Sequence, residues 1–166
     1  MAKLLSALPV GSIVKSTNTK YNGKVIRWIV GTQDTANGRT GLVAEKMITL
    51  KCFDAKEPSN TNSDRKNYGN NRYSQSNIDQ WLNSQAASWY SARHSYDAPP
   101  NNANVWSNYN EYDTEAGFLS NFEADFRKAI LDAVIRVAKN TVTDGGGYED
   151  INRKVFLLSN TEVGLS

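Results

Sequence analysis

The chain reads as an α+β protein, and three features of its 166 residues predict that class. Two Asn-Gly pairs punctuate runs of β-branched and aromatic residues in the N-terminal third. A four-turn apolar stripe opens on a capping box near residue 120. A short apolar run then follows a glycine-rich break close to the C-terminus.

Ser12–Lys15 is a short apolar-polar stretch leading to Asn22-Gly23, a pair suited to a type I′ turn because both central residues need positive φ. Lys24–Val30 supplies Val25, Ile26, Trp28, Ile29 and Val30, side chains that fit a pleated surface. Asn37-Gly38 marks a second turn before the run 42–53, whose later half places Ile48, Leu50 and Cys52 on one face. Together these predict an antiparallel β-meander of three strands. Residues 54–73 form a polar connection with Pro58, several Asn and the cluster Asp64-Arg65-Lys66, and read as surface loop.

Ser76-x-x-Asp79 is a variant capping box, and Ile78, Trp81 and Leu82 follow at helical spacing, so a short helix is predicted over about 76–85. Residues 86–118 carry seven rings among Asn, Ser and Pro99-Pro100 without a period, which predicts a long aromatic loop. Some of those rings must enter the core, since a compact domain does not leave so much apolar surface wet. Ser120-x-x-Glu123 is a full capping box. Phe122, Phe126, Ala129, Ile130, Ala133, Val134 and Val137 keep one face behind it, predicting a helix over about 121–139. Asp144-Gly145-Gly146-Gly147 breaks the pattern, and Lys154–Ser159 reads as a buried strand.

Length suggests a single domain spanning 1–166. Nineteen Lys and Arg against 17 Asp and Glu leave +2, without the broad basic footprint of nucleic-acid binders. No run approaches a membrane span, and the start MAKLLSALPVGS is too short in apolar residues for a signal peptide. Cys52 has no cysteine to pair with, and His94 is the only histidine. Nineteen Asn and 10% aromatic residues point instead to a surface of neutral donors, acceptors and flat rings, the chemistry of adaptable binding loops.

Catalytic motifs are sparse. Cys52 lies on the predicted buried face of a strand, where a thiol behaves as a small apolar group, and His94 is distant in sequence. Glu111, Asp113 and Glu115 beside tyrosines resemble the carboxylates of a glycan hydrolase in composition only. Those three, or Asp144 with Glu149 and Asp150, offer oxygen ligands for calcium, yet neither stretch matches a twelve-residue EF-hand loop. Solvated acidic loops account for both. Gly145–Gly147 follows a helical pattern rather than opening one, so it is not a phosphate loop. Arg65-Lys66 with Arg72 is too small a basic patch for nucleic acid. The expectation is a protein without enzymatic activity, metal or cofactor.

Gly11-Ser12-Ile13-Val14, the stretch Ser76 to Trp81-Leu82-Asn83, the long apolar stripe and Val155–Val163 resemble a domain family of unknown function found in bacteriophage tail proteins and surface proteins of gut bacteria. That resemblance implies a C-type-lectin-like fold, related to that of formylglycine-generating enzymes. Those enzymes use cysteines in their later part, whereas this chain has Cys52 alone. Members usually continue past the Leu-Leu-Ser strand into a closing β segment, in some phage members a binding surface diversified by retroelements. Here that segment is absent, so the chain is expected to be the scaffold part, truncated at its C-terminus relative to the family. Strands such as Lys24–Val30 or Val155–Leu158 would then keep an open edge.

The function this implies is a receptor-binding or adhesion domain of a phage or prophage tail protein, located in the virion and made in the host cytoplasm. Its expected partners are a bacterial surface glycan or protein, other virion subunits and further copies of itself, with no nucleic acid and no membrane insertion. Candidate ligand-binding residues are Trp89, Tyr90, Trp106, Tyr109 and Tyr112, whose rings suit sugar faces. A structural virion module is the alternative, and a glycan hydrolase a more distant one.

Overall fold

The computed structural model describes residues 4–106 and 109–163. The chain is α+β and its residues group into two compact units. One holds the residues up to Leu50 together with Asn121–Phe126. The other holds Lys51–Ser120 and the chain from Arg127 onward.

The first unit is the predicted meander. Strands β1 (Ile13–Tyr21), β2 (Lys24–Asp34) and β3 (Arg39–Ala44) pair antiparallel in sequence order. Asn22 and Gly23 take φ of 47° and 75°, the type I′ conformation, and set Tyr21 opposite Lys24. Asp34 accepts hydrogen bonds from the Asn37 backbone N–H (3.2 Å) and its side-chain amide (2.8 Å), bracing the second turn. Trp28 donates its indole N–H to the buried Thr19 hydroxyl at 3.0 Å. Phe122 meets the Trp28 ring edge-on at 6.3 Å, and an isolated bridge ties it to Thr19.

Two strand expectations change here. β2 is the central strand, and it is paired on both sides from Trp28 onward, so of Lys24–Val30 only the Lys24–Ile26 end keeps a side without a β3 partner. β3 stops at Ala44. The alternation at Ile48, Leu50 and Cys52 belongs to irregular chain, with Met47 and Leu50 exposed.

The second unit opens with a helix inside the stretch read as loop. Asn62 caps α1 (Ser63–Tyr68) by accepting from the Asp64 and Arg65 N–H groups, and Gly69 ends it at φ 79°. Helix α2 (Asn77–Leu82) matches the predicted short helix, and Ser76 caps it by accepting from the Asp79 N–H. Every residue of α2 is buried. Trp81 donates its indole N–H to the Ala116 carbonyl at 3.0 Å and packs its ring 5.5 Å from Tyr112 and 5.2 Å from Phe118.

The predicted helix over 121–139 is overturned. A 3-10 turn (Phe118–Asn121) precedes a short helix α3 (Ala124–Ala129), and the rest is strand β4 (Ala133–Ala138). Glu123 gives its backbone N–H to the Asn18 carbonyl, so this amide serves the meander. β4 pairs in full register with β5 (Tyr148–Arg153). The residues after Ala129 satisfy both periods: Ala133, Ile135 and Val137 turn inward while Val134, Arg136 and Ala138 turn outward. β-branched residues are near neutral as helix formers and fit a strand, so cross-strand pairing decides. The buried strand expected at Lys154–Ser159 is not formed: Val155–Leu158 is irregular, and the last strand is β5, whose residues alternate between half-buried and exposed. No helix among the described residues is long and apolar enough to cross a membrane.

Candidate functional site

The five rings singled out in sequence separate into two sets. Trp89 and Tyr112 stack at 5.3 Å with planes 8° apart, and both are buried. The Tyr112 hydroxyl donates to the Cys52 carbonyl (3.0 Å), and Trp89 donates to the Tyr112 carbonyl (3.2 Å). Tyr90 meets Trp89 edge-on at 6.0 Å, half-buried, and burial pushes its hydroxyl up to about 12. These three rings are packed together as core and its margin. Trp106 and Tyr109 are 66% and 72% exposed.

Trp106 has a surface partner that sequence reasoning passed over. Tyr68, 67% exposed at the end of α1, lies with its ring centre 6.2 Å from that of Trp106. Lys56 places its ammonium 5.4 Å from the Trp106 ring centre. The rings are held from below. Arg65, one turn before Tyr68, is buried against Glu57 (3.3 Å) and fixes α1. The Asn101 side chain accepts from the Ala103 and Asn104 N–H groups, and Lys56 donates its N–H to the Asn104 carbonyl. Val105 is buried beside the exposed Trp106. Tyr68 sat in a stretch read as plain loop. The signal that could have found it was the Asn62-x-x-Arg65 start of a helix, which puts Tyr68 one turn beyond a buried anchor.

Beneath this patch the segment 54–57 turns Asp54 and Glu57 inward. Asp54 accepts from the Asn70 N–H (2.7 Å) and the Asn77 N–H (2.9 Å), while burial pushes its carboxyl up to about 7. Among the described residues, Asp54, Glu57 and His94 each bring a ligand atom within 4.8 Å of one another, a grouping the scattered sequence positions concealed. Several of the carboxylates considered for calcium are ion-paired instead. Glu149 accepts from Arg72 at 2.7 Å through both oxygens, Asp150 pairs with Arg136 (2.9 Å), and Glu115 pairs with Lys51. The Cys52 thiol is pushed up to about 12 by burial and the neighbouring Asp54, far from the range of a reactive thiolate.

The family described as "domain of unknown function (DUF6273)" matches residues 37–166. Comparison with curated proteins and with solved structures finds no match.

Proposed function

We propose that this chain, which belongs to the DUF6273 family of domains of unknown function, is a non-enzymatic binding domain of a phage or prophage tail protein. Its α+β architecture is taken to be C-type-lectin-like, and its ligand to be a bacterial surface glycan. The virion assignment rests on the resemblance of its short motifs to phage-tail domains.

The observation that carries the binding reading is the exposed pair Tyr68 and Trp106 with Lys56 on the indole. Sugar rings present C–H faces that stack on the apolar planes of indole and phenol rings. Lys56 and the Tyr68 hydroxyl supply polar groups beside the rings. Tyr109 extends the same surface. A shallow contact of this kind binds weakly alone, and repeated copies on a virion would multiply it through avidity.

The test is binding of the purified chain to a panel of bacterial capsular and cell-wall polysaccharides. Trp106→Ala and Tyr68→Ala are each expected to weaken binding about tenfold, roughly 1.4 kcal/mol, with melting temperatures unchanged because both side chains are exposed. Variants that bind like the unaltered chain, or a chain that binds no glycan on the panel, would remove the proposal. Association only with copies of itself in light scattering would favour a structural virion module.

A further inference from the structure

We infer that Asp54, Glu57 and His94 form a binding site for one divalent transition-metal cation of the zinc class. One imidazole nitrogen and two carboxylate oxygens are a donor set that zinc accepts, with a further position left for water.

His94 carries the first argument. Its Nδ1 lies 2.9 Å from the Ser95 carbonyl, a contact in which Nδ1–H donates, so Nε2 is the nitrogen free of that bond. Nε2 is buried and has no hydrogen-bond partner, and the side chain is only 10% exposed. A buried polar nitrogen left without a partner is destabilising. Histidines that bind metals commonly take this arrangement, anchoring one nitrogen on a backbone carbonyl and offering the other.

Charge carries the second. Three carboxylates surround the imidazole: Glu57, with Oε1 3.7 Å from Nδ1, Asp97, with Oδ1 4.0 Å from Nε2, and Asp54. The side chains of Glu57 and Asp97 are 0% and 2% exposed. Arg65 is the guanidinium against them, at 3.3 Å from Glu57, and it is shared with Asp144. A divalent ion would neutralise the excess.

The surrounding shell is already built. Asn77 donates its backbone N–H to Asp54 (2.9 Å) and its side-chain amide to Asp97 (3.3 Å), and accepts from the Ala55 N–H (2.8 Å). The Arg93 N–H holds the other oxygen of Asp97 at 2.8 Å. These bonds fix Asp54 at the N-terminus of α2 and Asp97 at the end of the 93–97 turn. Asn77 is a positioning residue in this scheme.

The single histidine makes the test direct. The 15N-labelled full chain, stripped with a chelator, is titrated with Zn2+ and separately with Ca2+ while the imidazole nitrogens are followed by NMR. The expected result is a shift of the His94 Nε2 resonance that saturates at one equivalent of Zn2+. Asp54→Asn and Glu57→Gln should each weaken that binding at least about tenfold. Unchanged imidazole resonances at saturating Zn2+ overturn the proposal, whatever the variants do. So does a response to Ca2+ alone, or a zinc-dependent shift equally strong in both carboxylate variants, which would mark an imidazole acting without them. If a carboxylate variant fails to fold, His94→Gln replaces it, with equilibrium dialysis counting bound zinc. Retention of the bound equivalent in His94→Gln likewise rejects the site.

Discussion

Asp79 is fully buried, and arginines reach both of its oxygens. Arg153 grips it through Nε (2.6 Å) and Nη2 (2.7 Å), and Arg93 adds Nη1 at 2.8 Å. Removing the carboxylate strands two partly buried guanidinium groups, so Asp79→Ala is expected to cost about 3–5 kcal/mol in chemical denaturation. Replacing Asp79, Arg93 and Arg153 together with apolar residues should cost less than the single change, because no charge is then left buried without a partner, and the two variants are compared in the same denaturation experiment. Gly69 makes a different demand. At φ 79° it faces the Ala55 carbonyl where a Cβ would stand, so Gly69→Ala combines backbone strain with a clash and should lower the melting temperature markedly. At this scale the sequence was half legible. Ser76 announced its cap, but the aspartate three residues on serves Arg93 and Arg153, partners 14 and 74 residues away that no local spacing reveals.

The β4–β5 hairpin is the element that local reading missed. Its loop is shaped by Asn140, whose side chain accepts from the Val142 and Thr143 N–H groups, and by three glycines at positive φ. One strand is anchored through Glu149, which the Arg72 guanidinium and the Ser74 hydroxyl hold down to about 2 from an ordinary 4.5. A depressed carboxyl gives stability that is fully present above 4.5 and lost as pH falls through about 2. Acid titration of the melting temperature should therefore show a limb between those values that Glu149→Gln flattens. With the pair partly exposed, the change is expected to be of order 1 kcal/mol. The meander was legible because its turns need residues with unusual backbone freedom, and those residues are written in the chain as Asn-Gly. The hairpin was not, because Ala133–Val137 fits either period and the choice rests on a partner strand ten or more residues away.

Across the molecule, aromatic residues fall into sealed and wet classes that composition could not separate. Trp81 and Trp89 are sealed, Trp28 is half-buried, and Trp106 is exposed. Iodide should thus quench chiefly Trp106, and Trp106→Phe should remove most of the quenchable emission while leaving the melting curve in place. The reading of 86–118 as an aromatic loop that feeds the core holds for Trp89, Tyr112 and Phe118. Which rings stay outside was decided by Arg65 and Val105, buried neighbours of Tyr68 and Trp106 that pull the backbone down and leave the rings on top. The grouping of Asp54, Glu57 and His94 was hidden for the same reason: three irregular segments meet only once the chain is folded.

The two tight turns of the meander are also its most perishable chemistry. In Asn22-Gly23 and Asn37-Gly38 the glycine N–H has no neighbouring Cβ to obstruct it, and both pairs lie in solvent. That nitrogen can attack the asparagine side-chain carbonyl, expel ammonia and close a succinimide, which water then opens to aspartate or isoaspartate. Each event converts a neutral amide to a carboxylate and lowers the net charge of +2 by one. The isoaspartate product also adds a methylene to a two-residue turn that sets Tyr21 opposite Lys24. Stored protein should therefore age first at the ends of its best-formed hairpins, resolving as acidic species on ion exchange before any strand has unfolded.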